Sequence, residues 1–174
     1  MNTNAHQEVR VFAPATVANV ACGFDVLGFA INAPGDEVVA RHSEKPGLRI
    51  TKITGDDGKL PKIPEKNTAG VAALDLLRHL GMSDRGIELE IHKKMPFGSG
   101  LGSSAASAVA GVYAVNKLIG EPLAKQQLLP FAMQGEASAD GAWHADNVGP
   151  CLLGGIVFVR SNQELDIAQL PVPE

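Results

Sequence analysis

Residues 96–106 read Pro96-Phe97-Gly98-Ser99-Gly100-Leu101-Gly102-Ser103-Ser104-Ala105-Ala106, and no other stretch limits the possible folds so tightly. Three glycines at alternate positions allow positive-φ backbone, which brings N–H groups close to a bound anion. An alanine-rich helical run follows at once, so the loop opens onto a helix N-terminus, whose unpaired donors and partial positive charge favour the same anion. Ser103 and Ser104 add hydroxyls suited to phosphate oxygens or to magnesium. Before the loop, Ile87, Leu89 and Ile91 alternate with Glu88, Glu90 and His92, the pattern of a half-buried strand. The unit is therefore strand, loop and helix, and it suits a nucleoside triphosphate. Two commoner patterns fail: a P-loop needs Gly-Lys followed by Ser or Thr, and a dinucleotide fingerprint needs glycine where Ser103 stands. The plainer alternative is a tight turn whose small residues serve helix packing alone.

The rest of the chain bounds what surrounds that unit. At 174 residues with 45% hydrophobic content, one domain with a sizeable core is expected. A net charge of −4 and few aromatics argue against a nucleic-acid partner. From Met95 to Asn116 no residue is charged, but the glycines and serines there would be costly in lipid, so no membrane span is expected. Cys22 and Cys151 are the only cysteines, too few and too far apart for a disulfide scaffold or zinc site, which fits a reducing, cytoplasmic setting. The start, Met1 to Glu8, has no basic or apolar character and is not read as a secretory signal.

Strands are expected over Val9–Phe12, stopped by Pro14, and on either side of the Pro46-Gly47 turn, over Asp36–Arg41 and Leu48–Ile53. Residues 55–66 form a loop. A helix capped by Asn67 or Thr68 runs to about Leu80, with Gly81 as its stop. Further helices cover about Leu101–Leu118 and Leu123–Glu136, where Pro130 begins, kinks or divides the second. Ile156–Val159 is the last strand, and Leu170–Glu174 reads as a linker. Mixed strands and helices without strict alternation give an α+β fold.

Two polar clusters remain. Asn19 and Asp25 are either turn residues bonded to nearby backbone or contacts for a ligand ammonium and hydroxyl. In the second cluster, Glu136 or Asp140 can supply a carboxylate to magnesium, and His144 is either a loop histidine held by backbone or a ligand contact. His144 and Asp146 do not make a metal set, and no Gly-x-Ser-x-Gly elbow exists, so zinc and serine-hydrolase chemistry are not expected. His6, His42, His79 and His92 read as ordinary tail, strand and helix residues.

With its proline, spaced glycines, paired serines and paired alanines in order, the Pro96–Ala106 stretch closely resembles the phosphate-binding motif of the GHMP kinases, a family of small-molecule kinases. Ala13-Pro14-Ala15-Thr16, Asn19 and Gly23-Phe24-Asp25 are similar to the first motif of its homoserine-phosphorylating members, and the Glu136–Gly155 segment resembles theirs as well. The resemblance implies a two-layer α+β sandwich of mixed or antiparallel sheet and helices, shared with a domain of a small-subunit ribosomal protein. It places ATP on Pro96, Phe97, Gly98, Ser99, Gly100, Leu101, Gly102, Ser103, Ser104, Ala105 and Ala106, with adenine near Asn67-Thr68. Magnesium falls to Ser104 and Glu136, and L-homoserine to Asn19, Asp25 and His144. Asn147 lies near the γ-phosphate and, being an amide, is no base; with Ser104 and Glu136 it completes the implied catalytic set. The implied reaction is ATP-dependent formation of O-phospho-L-homoserine, a step of threonine synthesis. Another GHMP kinase, or a non-catalytic nucleotide-binding module, are the alternatives. Family members continue into a second domain that binds the substrate carboxylate through arginines. Residues 1–174 are thus expected to be the N-terminal, ATP-binding domain, weak or inactive alone. The partner is expected to be a second copy in a homodimer, or a C-terminal domain supplied elsewhere.

Overall fold

The computed structural model describes residues 7–96 and 98–171. In chain order it contains β1 (Glu8–Val17), β2 (Leu27–His42), β3 (Leu48–Thr54), α1 (Thr68–His79), β4 (Ile87–His92), α2 (Ser103–Leu118), α3 (Leu129–Asp140), α4 (Ala145–Leu153), β5 (Ile156–Ser161) and β6 (Asp166–Leu170). β2 organises the sheet. β1 runs antiparallel along one edge of it. On the other edge β4 pairs with Glu37–His42 and β5 with Leu27–Phe29, leaving a notch between them. β3 lies parallel outside β4, and β6 antiparallel outside β5. The chain leaving β4 turns out of the sheet at the notch, where the backbone N–H of Lys94 donates to the Asp36 carboxylate.

One face of this mixed sheet is apolar: Val9, Val11, Ala13 and Ala15 of β1 and Ile87, Leu89 and Ile91 of β4 are all buried. α1, α2 and α4 pack on the sheet, and α3 packs on those three helices, which gives the expected α+β sandwich. The other face carries cross-strand ion pairs, Arg10–Glu37–Lys94 and Glu8–Arg41–Glu90. α2 is buried on almost every side, which explains its lack of charge. No described helix is long and apolar enough to cross a membrane. The helices approach closely because small residues line their contacts. A Cβ on Gly111 would lie 2.7 Å from the Ala69 carbonyl oxygen, and one on Gly135 would lie 2.6 Å from that of Thr68.

Local signals place most elements. The Asn67 side chain caps α1 by accepting the Ala69 N–H at 3.1 Å, and Gly81 leaves the helix with φ 66°. Pro130 stands in the first turn of α3, where a missing N–H has no helical partner to lose. Four features differ from expectation. β1 continues past Pro14 to Val17, because an edge strand tolerates proline, with a register shift between Pro14 and Thr16. β2 begins at Leu27, well before the expected Asp36, while β2 and β3 flank the Pro46-Gly47 turn as expected, with β4 between them. Ala145–Leu153 is a helix despite Pro150 inside it. Leu170, expected in a linker, closes β6 opposite Ile156. His6, Phe97 and Val172–Glu174, about which the sequence also raised expectations, lie outside the described residues.

Candidate nucleotide and acceptor site

Gly98, Gly100 and Gly102 all take left-handed backbone, with φ of 67°, 71° and 67°. Gly102 is the residue before α2, and a Cβ there would fall 2.2 Å from Thr16 Oγ1 and 2.9 Å from Asn147 Oδ1. The Thr16 N–H donates to the Leu101 carbonyl at 3.0 Å, and its hydroxyl donates to Asn147 Oδ1 at 2.8 Å. The end of β1 thereby joins the loop exit to α4. The loop borders a cavity of about 620 Å³, a size suited to a nucleotide. Pro96, Gly98–Ser104, Ser107 and Lys93 line it, together with Leu60, Pro61, Lys66, Asn67 and Thr68 before and at the start of α1. Asn67 also donates through Nδ2 to the Pro61 carbonyl at 3.0 Å, which fixes that side. Ala105 and Ala106 are in the core, at 0% exposure.

Two residues to which the sequence reading gave no site role lie at the base of the loop. Asp36 and Lys93 form an ion pair, with side chains 0% and 3% exposed. Ser103, expected close to the phosphates, donates its hydroxyl to Asp36 Oδ2 at 2.8 Å while still lining the cavity. Burial pushes the Lys93 ammonium below the ordinary lysine range, and the Asp36 charge opposes that fall.

The acceptor-side candidates gather at the N-terminus of α4. Asn19 and Asp25 both have φ 58°, a conformation that asparagine and aspartate tolerate better than other side chains. The Asp25 N–H donates to Asn19 Oδ1 at 3.2 Å, so the local-turn reading is realised, and both residues remain exposed. His144 is the residue before α4, and its Nδ1 lies 3.7 Å from Oε1 of the buried Glu136 on α3. Asp146, 2% exposed in the first turn of α4, is an unassigned member of this group. Burial raises its pKa; His144 opposes that and Asp25 adds to it, so the three side chains share one neighbourhood. Asp140 is the last residue of α3. His42, His79 and His92 sit at the ends of β2, α1 and β4.

The residues present fit a magnesium ion. Ser104 Oγ is buried and has no hydrogen-bond partner among the described residues, an arrangement suited to a cation ligand. Glu136 supplies a carboxylate, and hydroxyl and carboxylate oxygens are the ligands this ion prefers. Among the described residues no group of three or more His, Cys, Asp or Glu side chains could hold a metal.

The family model of the GHMP kinases N terminal domain matches residues 67–155. The chain is 50% identical over 176 residues to a homoserine kinase of Chlorobium phaeobacteroides, covering 95% of this chain and 55% of that protein. It is 50% identical over 154 residues to a homoserine kinase of Xylella fastidiosa, covering 88% of this chain and 47% of that one. It superposes on the crystal structure of homoserine kinase from Cytophaga hutchinsonii with a TM-score of 0.95 and 61% identity, over 99% of this chain and 55% of that one. A Methanococcus jannaschii mevalonate kinase, 17% identical with a TM-score of 0.74 over 98% of this chain and 57% of that one, shares the fold. The chain spans about half the length of the curated relatives it matches.

Proposed function

Because the chain belongs to the GHMP kinases through their N-terminal domain, we propose that it forms the ATP-binding part of a homoserine kinase. The reaction transfers the γ-phosphoryl group of ATP to the side-chain hydroxyl of L-homoserine, giving O-phospho-L-homoserine and ADP, a step of threonine synthesis. One observation carries this reading: Gly102, where the glycine loop ends, lies against Asn147 of α4, the helix that His144 precedes and at whose start the acceptor candidates lie.

The loop N–H groups and the N-terminus of α2 face the phosphates and stabilise charge that develops during transfer. Asn147 holds its amide beside the transferring group and accepts no proton. A strong base is not required, because phosphoryl transfer rests mainly on positioning and charge stabilisation. Asp25 and Asn19 take the acceptor ammonium, and His144 steadies its other polar atoms. Ser104 and Glu136 would hold magnesium, which would supply positive charge to offset that of the phosphates. Arg160 is paired with Asp166 at 2.6 Å, so it is not assigned to the acceptor carboxylate.

The test is ADP release, with Mg-ATP and a panel of homoserine, mevalonate and shikimate, by residues 1–174 joined to the second domain expected from the family. Release well above background with homoserine alone is expected; release with another alcohol, or with none, overturns the proposal. Residues 1–174 by themselves are expected to bind Mg-ATP in calorimetric titration with weak turnover or none.

A further inference from the structure

The phosphate loop contains no lysine, yet one stands directly behind it. Lys93 follows β4 immediately, and its ammonium donates to the Ser103 carbonyl at 2.7 Å and to Ser107 Oγ at 2.6 Å. Its third partner is Asp36. An ammonium has three N–H donors, and here three acceptors take them, so none is left for a phosphate. Asp36 is equally committed. Its Oδ1 accepts the backbone N–H groups of Lys94 at 2.7 Å and Met95 at 3.2 Å, and its Oδ2 accepts the Ser103 hydroxyl at 2.8 Å. One carboxylate therefore holds the chain entering the loop and the residue at which the loop becomes helix. The base of this arrangement is itself seated: the Lys93 N–H donates to the Thr54 carbonyl at 2.8 Å, and a Cβ on Gly55 would fall 2.0 Å from the Lys93 carbonyl oxygen.

We infer that the Asp36–Lys93 pair is a clasp that presets the shape of the phosphate loop, making both residues positioning residues for the nucleotide that do not touch it. The inference rests on the nucleotide reading above. The fold does not explain the pair, since a buried ion pair replaced by apolar side chains of similar volume often leaves a protein as stable or more so. What the pair supplies is one loop conformation. If unclasping leaves the competent loop at about one-tenth to one-hundredth of the population, the apparent Kd for every phosphate ligand of the loop rises about 10- to 100-fold.

The experiment uses the full chain, its Asp36→Leu/Lys93→Met double variant and the milder Asp36→Asn, each titrated calorimetrically with Mg-ATP and with Mg-ADP after a thermal melt. The double variant is expected to melt cooperatively and to bind both nucleotides about 10- to 100-fold more weakly, by the same factor. Asp36→Asn shows the same equal weakening at smaller size and serves alone if the double variant does not fold. Unchanged binding of both nucleotides overturns the inference by making the pair mere packing. A loss several-fold larger for Mg-ATP than for Mg-ADP overturns it by placing Lys93 on the γ-phosphate. Failure of both variants to fold overturns it by making the pair a folding element. A wild-type chain that binds neither nucleotide removes both this inference and the proposed function, whereas the other outcomes leave that function standing.

Discussion

Thr16 uses both of its backbone-side and side-chain donors where β1 meets the loop and α4, and it is wholly buried there. Valine has nearly the same shape and lacks the hydroxyl. Thr16→Val is expected to destabilise the chain by about 1–3 kcal/mol in denaturant melts, because Asn147 Oδ1 loses its donor. On the proposed role of Asn147, steady-state kinetics of these residues joined to the family's second domain should show a fall in kcat larger than any rise in KM for ATP, since the Asn147 amide loses its anchor. Asp146 is tested by pH. Its folded pKa is raised, chiefly by burial, so its contribution to stability is fully present below the unfolded pKa and is lost as pH rises through the folded value. Asp146→Asn should therefore melt higher than wild type near neutral pH, with the advantage vanishing in acid; a constant difference across pH would contradict this. Such roles differ in how far sequence discloses them. The loop glycines are legible because positive φ is a demand each residue makes locally. Asp36 is not, because its partners Lys94 and Ser103 lie 58 and 67 positions away.

Elements were legible where periodicity and a terminus signal agree, as in α1 with Asn67 before it and in β4 with its strict alternation. They were hidden where a residue's usual meaning is overridden by its surroundings. Pro150 ordinarily argues against a helix interior, but in α4 the Asp146 carbonyl, which Pro150 cannot serve, lies where a Cβ on Gly28 would fall at 1.7 Å, so the sheet closes over it. β6 has neither a strong apolar alternation nor a buried face, and only its pairing with β5 defines it. Asn67 links element and site, since it caps α1 and borders the nucleotide cavity. Asn67→Ala should cost about 1 kcal/mol through the lost cap, seen as a lower melting midpoint. In the same variant, release of the turn at Pro61 should weaken Mg-ATP in titration; full retention of affinity would separate the cap from the cavity.

At the scale of the molecule, nucleotide and stability are linked. Mg-ATP at about 100 times its Kd contributes about 2.7 kcal/mol to the folded state. For a domain of this size each kcal/mol moves Tm by about 2–4 °C, so a rise of about 5–10 °C is expected in scanning calorimetry. Chelating the magnesium should remove most of that rise, and a rise insensitive to the metal would argue against Ser104 and Glu136 as its ligands. The alanine and glycine contacts among α1, α2 and α3 carry a last consequence. Alanine and glycine have no side-chain rotamers to freeze, so ordering them removes little side-chain freedom beyond the backbone's own. α2, which opens from the glycine loop, is thus expected to be the least mobile helix of the molecule. In deuterium exchange the amides of α2 should be the slowest of all, opening only with global unfolding, while residues 18–26 on the acceptor side exchange orders of magnitude faster.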